Sequence, residues 1–183
     1  GTSSGFESWQ MRTLEMLLGL DSEQRIGGMD PMEHNRKLHS EGKLSDSVMQ
    51  EMNRIDSMPS LNEVLLRWLS RTPVNGVSGD ENVLRAFVES HLESMKQHGE
   101  SVIAHMVKIG HGSEEMIRPR IESGIEGARS FLLPDGIVSA ARAGLLFIES
   151  YRELPLLSWP RRLIDTVVDL EESMLLFRSH HAR

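Results

Sequence analysis

Hydrophobic residues along the chain recur every three to four positions, the spacing that places them on one face of an α-helix. Leucine and methionine are prominent among them, and no stretch alternates polar and apolar residues over the length of a β-strand. With 183 residues, the chain is long enough to bury the core of one domain of ordinary size. The pattern therefore predicts an all-α protein, with a single helical domain over residues 1–183.

Proline, glycine and capping residues divide this pattern into helical segments. Two helices are predicted to start at caps: one at a capping box formed by Ser60 and Glu63, and one at Asp80. The other predicted helices cover residues 6–20, 45–58, 102–109, 114–130, 139–151, and 158 to the C-terminus. Gly99 is predicted to interrupt the helix that Asp80 opens. Pro119 is predicted to interrupt the polar helix 114–130, which we expect outside the core. Residues 21–45, rich in Gly, His and Asn, are predicted to form a connection.

The composition of the chain excludes several classes of function. The chain has no cysteine, which excludes disulfides, thiolate zinc sites, iron–sulfur clusters and thiol nucleophiles within it. Its net charge of −7 argues against a general nucleic-acid binder. Uninterrupted apolar runs such as Leu145–Ile148 are far shorter than a membrane span, and no secretory leader opens the chain. We therefore expect a cytoplasmic domain, either an enzyme or a binding module.

The last predicted helix carries an apolar stripe that leads to a histidine. Its positions, in steps of four and three, are Leu163, Val167, Leu170, Met174 and Phe177. The next step of four falls on His181, whereas His180 is turned about 100° away. A neutral imidazole on an apolar helical face suits an axial ligand of a haem or another metal. The alternatives are a core histidine satisfied by a backbone carbonyl, or a frayed terminal one.

Several other metal-binding and catalytic motifs are absent from the sequence. None of the eight histidines follows a glutamate by three residues, so the Glu-x-x-His pattern of di-iron bundles is absent. The chain also contains no His-Glu-x-x-His, no phosphate-binding Gly-x-x-x-x-Gly-Lys and no Gly-x-Ser-x-Gly. The sequence therefore gives little support to a metal cluster made by this chain alone.

Arg12 is a candidate binding residue on the first predicted helix. The small residues Gly5 and Ser8 lie below it on the helix face, and Gly19 lies two turns above. Small neighbours leave room for the guanidinium to bind a carboxylate through two parallel hydrogen bonds. The alternative is a surface arginine paired with Glu15, three residues later.

Four segments, in the same order, resemble the tryptophan 2,3-dioxygenase family. Residues 3–12, Ser-Ser-Gly-Phe-Glu-Ser-Trp-Gln-Met-Arg, are similar to its Ser-Gly-Phe-Gln-Ser-x-Gln-x-Arg segment, and 66–73, Leu-Arg-Trp-Leu-Ser-Arg-Thr-Pro, to its Trp-Leu-x-Arg-Thr-Pro segment. Residues 139–155 resemble a helix and loop of the longer, animal-like members. Residues 169–181, which end in Phe-Arg-Ser-His-His, resemble the segment with the proximal Trp-Arg-x-x-His motif.

This resemblance implies a helical bundle of the haem-dioxygenase type, assembled as a homotetramer, with haem b as cofactor. It implies that His181 is the axial ligand of the haem iron, or His180 if the register differs by one residue. Met174, Phe177 and Arg178 are then expected to surround the haem on the proximal side. Phe177 stands where the family has tryptophan, which removes an indole N–H from that side.

The resemblance also implies a substrate and a reaction. Arg12 would hold the carboxylate of L-tryptophan or a related aromatic amino acid, with Ser8, Met16 and Gly19 as further substrate-binding residues. The implied reaction inserts both atoms of O2 across the indole C2–C3 bond and gives N-formylkynurenine, a step of tryptophan catabolism by the kynurenine pathway.

Two segments of the family have no counterpart in this sequence. They are an N-terminal segment with the distal histidine and a Gly-rich loop after the proximal helix. We therefore expect the chain to be a fragment or ordered remnant of a longer haem dioxygenase, with no catalytic residue of its own. Two other functions stay open: a related haem monooxygenase or hydroxylase of an aromatic amino acid in specialised metabolism, and a non-catalytic helical scaffold.

Overall fold

The computed structural model describes residues 9–20 and 30–181, with side chains at 11–20, 30 and 32–177. The α-helices of this part of the chain are α1 (Trp9–Leu18), α2 (Pro31–Ser40), α3 (Asp46–Asp56), α4 (Leu61–Leu69), α5 (Glu81–Lys108), α6 (Glu114–Leu132), α7 (Ala140–Ser150) and α8 (Ser158–His181). Short 3-10 turns cover Pro134–Gly136 and Pro155–Leu157. Across the described residues the only β-type pairing is an isolated bridge between Val74 and Val77, so the all-α prediction is confirmed.

The chain divides into two compact units. Unit 1 consists of residues 1–66 and 155–183, and unit 2 of residues 67–154. The single-domain organisation expected from the sequence stays a prediction. None of the described helices is long and apolar enough to cross a membrane.

In unit 1, α1 packs against α2 and α3 around a methionine-rich core. The buried members of this core are Met32, Met49, Met52 and Ile55, with Met16 and Val48 packed against them. Methionine is unbranched and flexible, so it fills irregular space between short helices. This methionine cluster joins the three helices.

Helix α2 corrects the prediction of a connection over residues 21–45. Asp30 caps it, because its Oδ1 accepts hydrogen bonds from the backbone N–H groups of Met32 (2.7 Å) and Glu33 (3.3 Å). Pro31 occupies the first turn, where no N–H is needed. The helix was missed because its sequence is polar, although the Asp-Pro pair marked its start.

A second core cluster of unit 1 links α1, α4 and α8. Its buried members are Leu18, Leu20 and Met174, with Met11, Leu14 and Leu61 packed against them. Gly19 lies between the two leucines with φ of +75°, and a side chain there would collide with Ser60. Glycine is needed here because only it tolerates both this conformation and this close approach.

The buried face of α8 differs in part from the predicted stripe. Val167 and Met174 are buried, as predicted, but Leu163, Leu170 and Phe177 are 39–44% exposed. The buried face is completed by Pro160 and Ile164. The prediction was partly wrong because α8 carries more than one apolar stripe, and periodicity alone cannot tell which one the neighbouring helices cover.

Unit 2 is built on the pairing of α5 with α6. Its core contains Val74, Leu84, Val88, Leu92, Leu132, Leu133 and Ala143. Helix α5 runs unbroken for 28 residues, so the predicted interruption at Gly99 is wrong. A Cβ at Gly99 would lie 2.6 Å from Cγ2 of Ile121 on α6. The glycine therefore permits close helix packing instead of ending the helix.

Helix α6 also continues through its proline. Pro119 lies inside Glu114–Leu132, so the predicted interruption is wrong there too. Proline removes one backbone hydrogen bond, and the packing of α6 along α5 offsets that loss. No residue between 114 and 130 is buried, as predicted for a helix outside the core.

Arg118 ties α6 to α5 at the surface. Its Nη1 and Nη2 donate to the two carboxylate oxygens of Glu100 at 2.6 and 3.0 Å, and Nη2 also donates to Glu114 at 2.7 Å. The hydrogen bonds from Arg118 lower the pKa of the Glu100 carboxyl. This contact is structural and lies at the surface of unit 2.

The predicted helix starts at Ser60 and Asp80 are confirmed. The Ser60 N–H donates to Glu63 Oε2 (2.8 Å), and the Glu63 N–H donates to Ser60 Oγ (3.2 Å), which is the predicted capping box. Asp80 Oδ1 accepts from the N–H groups of Asn82 and Val83 at the start of α5. Such caps depend on residues within one turn, so the sequence alone can locate them.

Candidate functional site

Buried polar side chains are concentrated in unit 1. Among the described residues, those in the buried class with polar or charged side chains are Arg12, Glu15 and Asn35, at 4%, 0% and 0% exposure. Arg12 and Glu15 lie on α1, and Asn35 lies on α2. Burying such groups is costly unless they are paired or hydrogen-bonded, and buried charged groups are often found at functional sites. This part of unit 1 is therefore the candidate site.

Arg12 and Glu15 form an ion pair inside the protein. Arg12 Nη1 donates to Glu15 Oε2 at 3.3 Å, between residues three positions apart on α1. One of the two interpretations of Arg12 from the sequence was a surface arginine paired with Glu15. The pairing is present, but the guanidinium is buried, so the expected surface location is wrong. A buried guanidinium is able to bind a carboxylate strongly, since water does not compete for its hydrogen bonds.

Asn35 and Thr13 meet at a buried sulfur. Asn35 Nδ2 and Thr13 Oγ1 both donate to Met52 Sδ at 3.3 Å, one from α2 and one from α1. Asn35 Oδ1 accepts no hydrogen bond within the part of the chain that the structure describes. Asn35 was not recognised as a candidate from the sequence, because it lies on the helix that was predicted as a connection.

The other predicted substrate-binding residues have different positions. Met16 is half-buried and packs against the methionine cluster of unit 1. Gly19 ends α1 and lies against Ser60, which gives it a packing function. Ser8 lies outside the described residues. Contacts of these three residues with a substrate stay predictions.

The predicted metal ligand lies at the end of α8. The helix continues through His181, two turns after the buried Met174, so the backbone register places both on one face. The side chains of Arg178, His180 and His181 lie outside the described residues. Metal ligation by His181, or by His180, therefore stays a prediction.

Surface clefts of unit 2 contain none of the predicted site residues. One, of about 330 Å³, is lined by Asn75, Ala86, Phe87, Ser90, His91, Ser94, Ser150 and Tyr151. Another, of about 290 Å³, lies between the end of α5 and the start of α6. The buried charges of unit 1 thus remain the stronger indication of a site.

The described residues are therefore all-helical, with a buried ion pair between Arg12 and Glu15 in unit 1. Comparison with curated proteins identifies relatives over nearly the whole chain. A "tryptophan 2,3-dioxygenase" of Sorangium cellulosum is 37% identical over 99% of this chain and 47% of its own length. A "tryptophan 2,3-dioxygenase-like protein" of Xanthomonas campestris is 35% identical over 99% of this chain and 71% of its own length. "Tryptophan 2,3-dioxygenase 2" of Ralstonia nicotianae is 33% identical over 99% of this chain and 52% of its own length.

The chain belongs to the tryptophan 2,3-dioxygenase family, a family of oxidoreductases. It spans about half the length of the Sorangium and Ralstonia relatives. No family model matches the chain. No solved structure matches it either.

Proposed function

We propose that this chain is part of a haem-dependent dioxygenase that inserts both atoms of O2 across the indole C2–C3 bond of L-tryptophan and releases N-formylkynurenine. The relatives are named for the oxidation of tryptophan. The observation that carries the proposal is the burial of Arg12, a cation 4% exposed on the helix whose sequence resembles the family's arginine segment. An amino-acid substrate supplies the carboxylate that such a cation would bind.

Arg12 would orient the substrate as well as bind it. Two parallel N–H donors of a guanidinium fix a carboxylate in direction and in distance. Holding the amino acid by its carboxylate places the indole in one orientation, which raises the rate without any nucleophile from the protein. Because Arg12 is buried, a substrate bound to it is also shielded from water.

The chain offers a donor suited to a haem. Within the described residues no group of three or more His, Asp or Glu side chains could hold a metal ion. A haem iron needs only one axial imidazole, and the register of α8 puts His181 on the face that carries buried Met174. His181 would hold the iron, with Met174, Phe177 and Arg178 around it. When bound, the haem supplies the activation of O2.

The visible absorption spectrum of the full-length protein, reduced and mixed with L-tryptophan, tests this proposal. We expect a haem Soret band that shifts when the amino acid is added, and a formylkynurenine band that grows in air. His181→Ala should lose haem, while the neighbouring His180→Ala serves as the control and should retain it. A protein that takes up no added haemin would contradict the proposal and favour a helical scaffold. A His181→Ala variant that binds haem fully while His180→Ala loses it would assign the iron to His180, and full binding by both variants would contradict ligation by either histidine.

The same resemblance leads us to propose a homotetramer located in the cytoplasm. Light scattering of the full-length holoprotein measures the assembly directly. A mass of four chains is expected, and a monomeric mass would contradict it.

A further inference from the structure

The cleft of unit 2 between the end of α5 and the start of α6 has a volume of about 290 Å³. This volume is close to the lower end of the range of small-molecule sites, which span roughly 300–1,000 Å³. The apolar side chains that line it are all aliphatic or thioether: Val102, Met106, Met116, Ile117 and Ile121. Methionine is flexible and adapts to ligands of varied shape. The cleft therefore suits a small aliphatic group.

Part of this apolar lining is not covered by the described residues. Met116 is 65% exposed, although it lines the cleft together with the half-buried Ile117. A hydrocarbon chain bound in the cleft would remove such surface from water, and this removal favours binding.

Arg120 lines the same cleft and has no hydrogen-bonding or charged partner for its side chain in the part of the chain that the structure describes. The residues one turn away on α6 are uncharged: Met116, Ile117, Ser123 and Gly124. An arginine can lay its aliphatic stem along an apolar wall and keep its guanidinium in water at the opening. The N–H donors of Arg120 are therefore available to a ligand.

The carboxylates nearest to Arg120 along α6 belong to a different network. Arg118 pairs with Glu100 at 2.6 Å and with Glu114 at 2.7 Å, and lies 3.9 Å from Glu122. Positions 118 and 120 are about 160° apart around an α-helix, so the two arginines lie on different sides of α6. Among the described residues that line the cleft, none is acidic. The charge of Arg120 is thus not neutralised within the cleft.

We propose that this cleft binds an aliphatic monocarboxylate, with the hydrocarbon chain against the apolar lining and the carboxylate on the guanidinium of Arg120. One guanidinium matches one carboxylate in charge and in geometry, because its parallel N–H donors face the two oxygens. An amino acid fits less well, since its ammonium group would find no carboxylate in the lining. This inference is independent of the proposed function, because every residue it uses belongs to unit 2.

Calorimetric titration of the full-length protein with sodium octanoate, below its micellar concentration, tests the proposal. We expect saturable binding of one octanoate per chain, and weaker binding of 1-octanol, which has the same chain length but no carboxylate. Arg120→Gln should weaken octanoate binding by about fivefold and change octanol binding by less than about twofold.

A matched control lies on the same helix. Arg129 of α6 is also exposed on its surface, but it pairs with Glu89 at 3.4 Å and does not line this cleft. Arg129→Gln should therefore leave octanoate binding unchanged. The apolar contact has its own variant: Met116→Ala should weaken octanoate and octanol alike, by about threefold. Because Met116 is largely exposed, this variant is expected to fold.

Three results would overturn the proposal. The first is a folded wild-type protein that shows no saturable binding of octanoate. The second is octanoate binding that Arg120→Gln leaves unchanged, or that Arg129→Gln weakens as much, since either result removes Arg120 as the carboxylate site. The third is octanoate binding that Met116→Ala does not weaken, because the hydrocarbon chain would then lie elsewhere.

Discussion

A charged side chain inside a protein has to be neutralised, and Arg12 meets this requirement within its own helix through Glu15. The small residues of the first predicted helix predicted space around Arg12, and the alternative, from the i, i+3 spacing, predicted its pairing with Glu15. Neither pattern could show that both side chains are buried, because burial depends on helices that pack on α1 from elsewhere in the sequence, and α2 and α3 are among these helices. The pairing of Arg12 with Glu15 was therefore predictable from the local sequence, and the burial of the pair was not.

Gly19 gives a prediction at the scale of one residue. Gly19→Ala should lower the free energy of unfolding by about 2–4 kcal/mol, because the left-handed conformation costs a side chain about 1–2 kcal/mol and the new Cβ collides with Ser60. Chemical denaturation of the full chain measures this change. Gly42→Ala is the control, since Gly42 has φ of +71° and no atom near its missing Cβ. Equal losses in the two variants would show that the contact with Ser60 contributes nothing.

At the scale of elements, the sequence located helix ends better than helix faces. Ser60 and Asp80 cap helices through bonds within one turn, so their positions follow from the local sequence. The buried face of α8 could not be predicted from the local sequence, because the apolar residues of α8 occupy several stripes. Contacts of Met174 with other helices determine which of these stripes is buried. Gly99 was misinterpreted for a related reason: its function depends on Ile121, which is distant in sequence.

Gly99 gives a prediction at this scale. Gly99→Ala should destabilise the protein by about 1–2 kcal/mol, because the strain of the added methyl group against Ile121 exceeds the gain in helix propensity. Gly124→Ala and Gly127→Ala on α6 are matched controls with open space around the missing Cβ, and should stabilise it by about 0.5–1 kcal/mol. Thermal unfolding of the three variants shows whether each substitution stabilises or destabilises the protein. Stabilisation by Gly99→Ala would contradict the close packing of α5 and α6.

At the scale of the whole molecule, the all-α class and most helices could be predicted from periodicity and caps. Family membership could be predicted from four short segments, and the relatives confirm it. The division into two compact units could not be predicted, because it depends on which distant helices pack together. The buried charges of the candidate site belong to one of these units, and the proposed chemistry rests on them.

The proposed function requires that the full-length protein cleave the indole ring with both atoms of one O2 molecule. Turnover of L-tryptophan under isotopically heavy O2, followed by mass spectrometry of the product, tests it most directly. We expect N-formylkynurenine that carries two heavy oxygen atoms. A hydroxylated amino acid with one heavy oxygen and an intact indole ring would contradict it, and would assign the protein to monooxygenation.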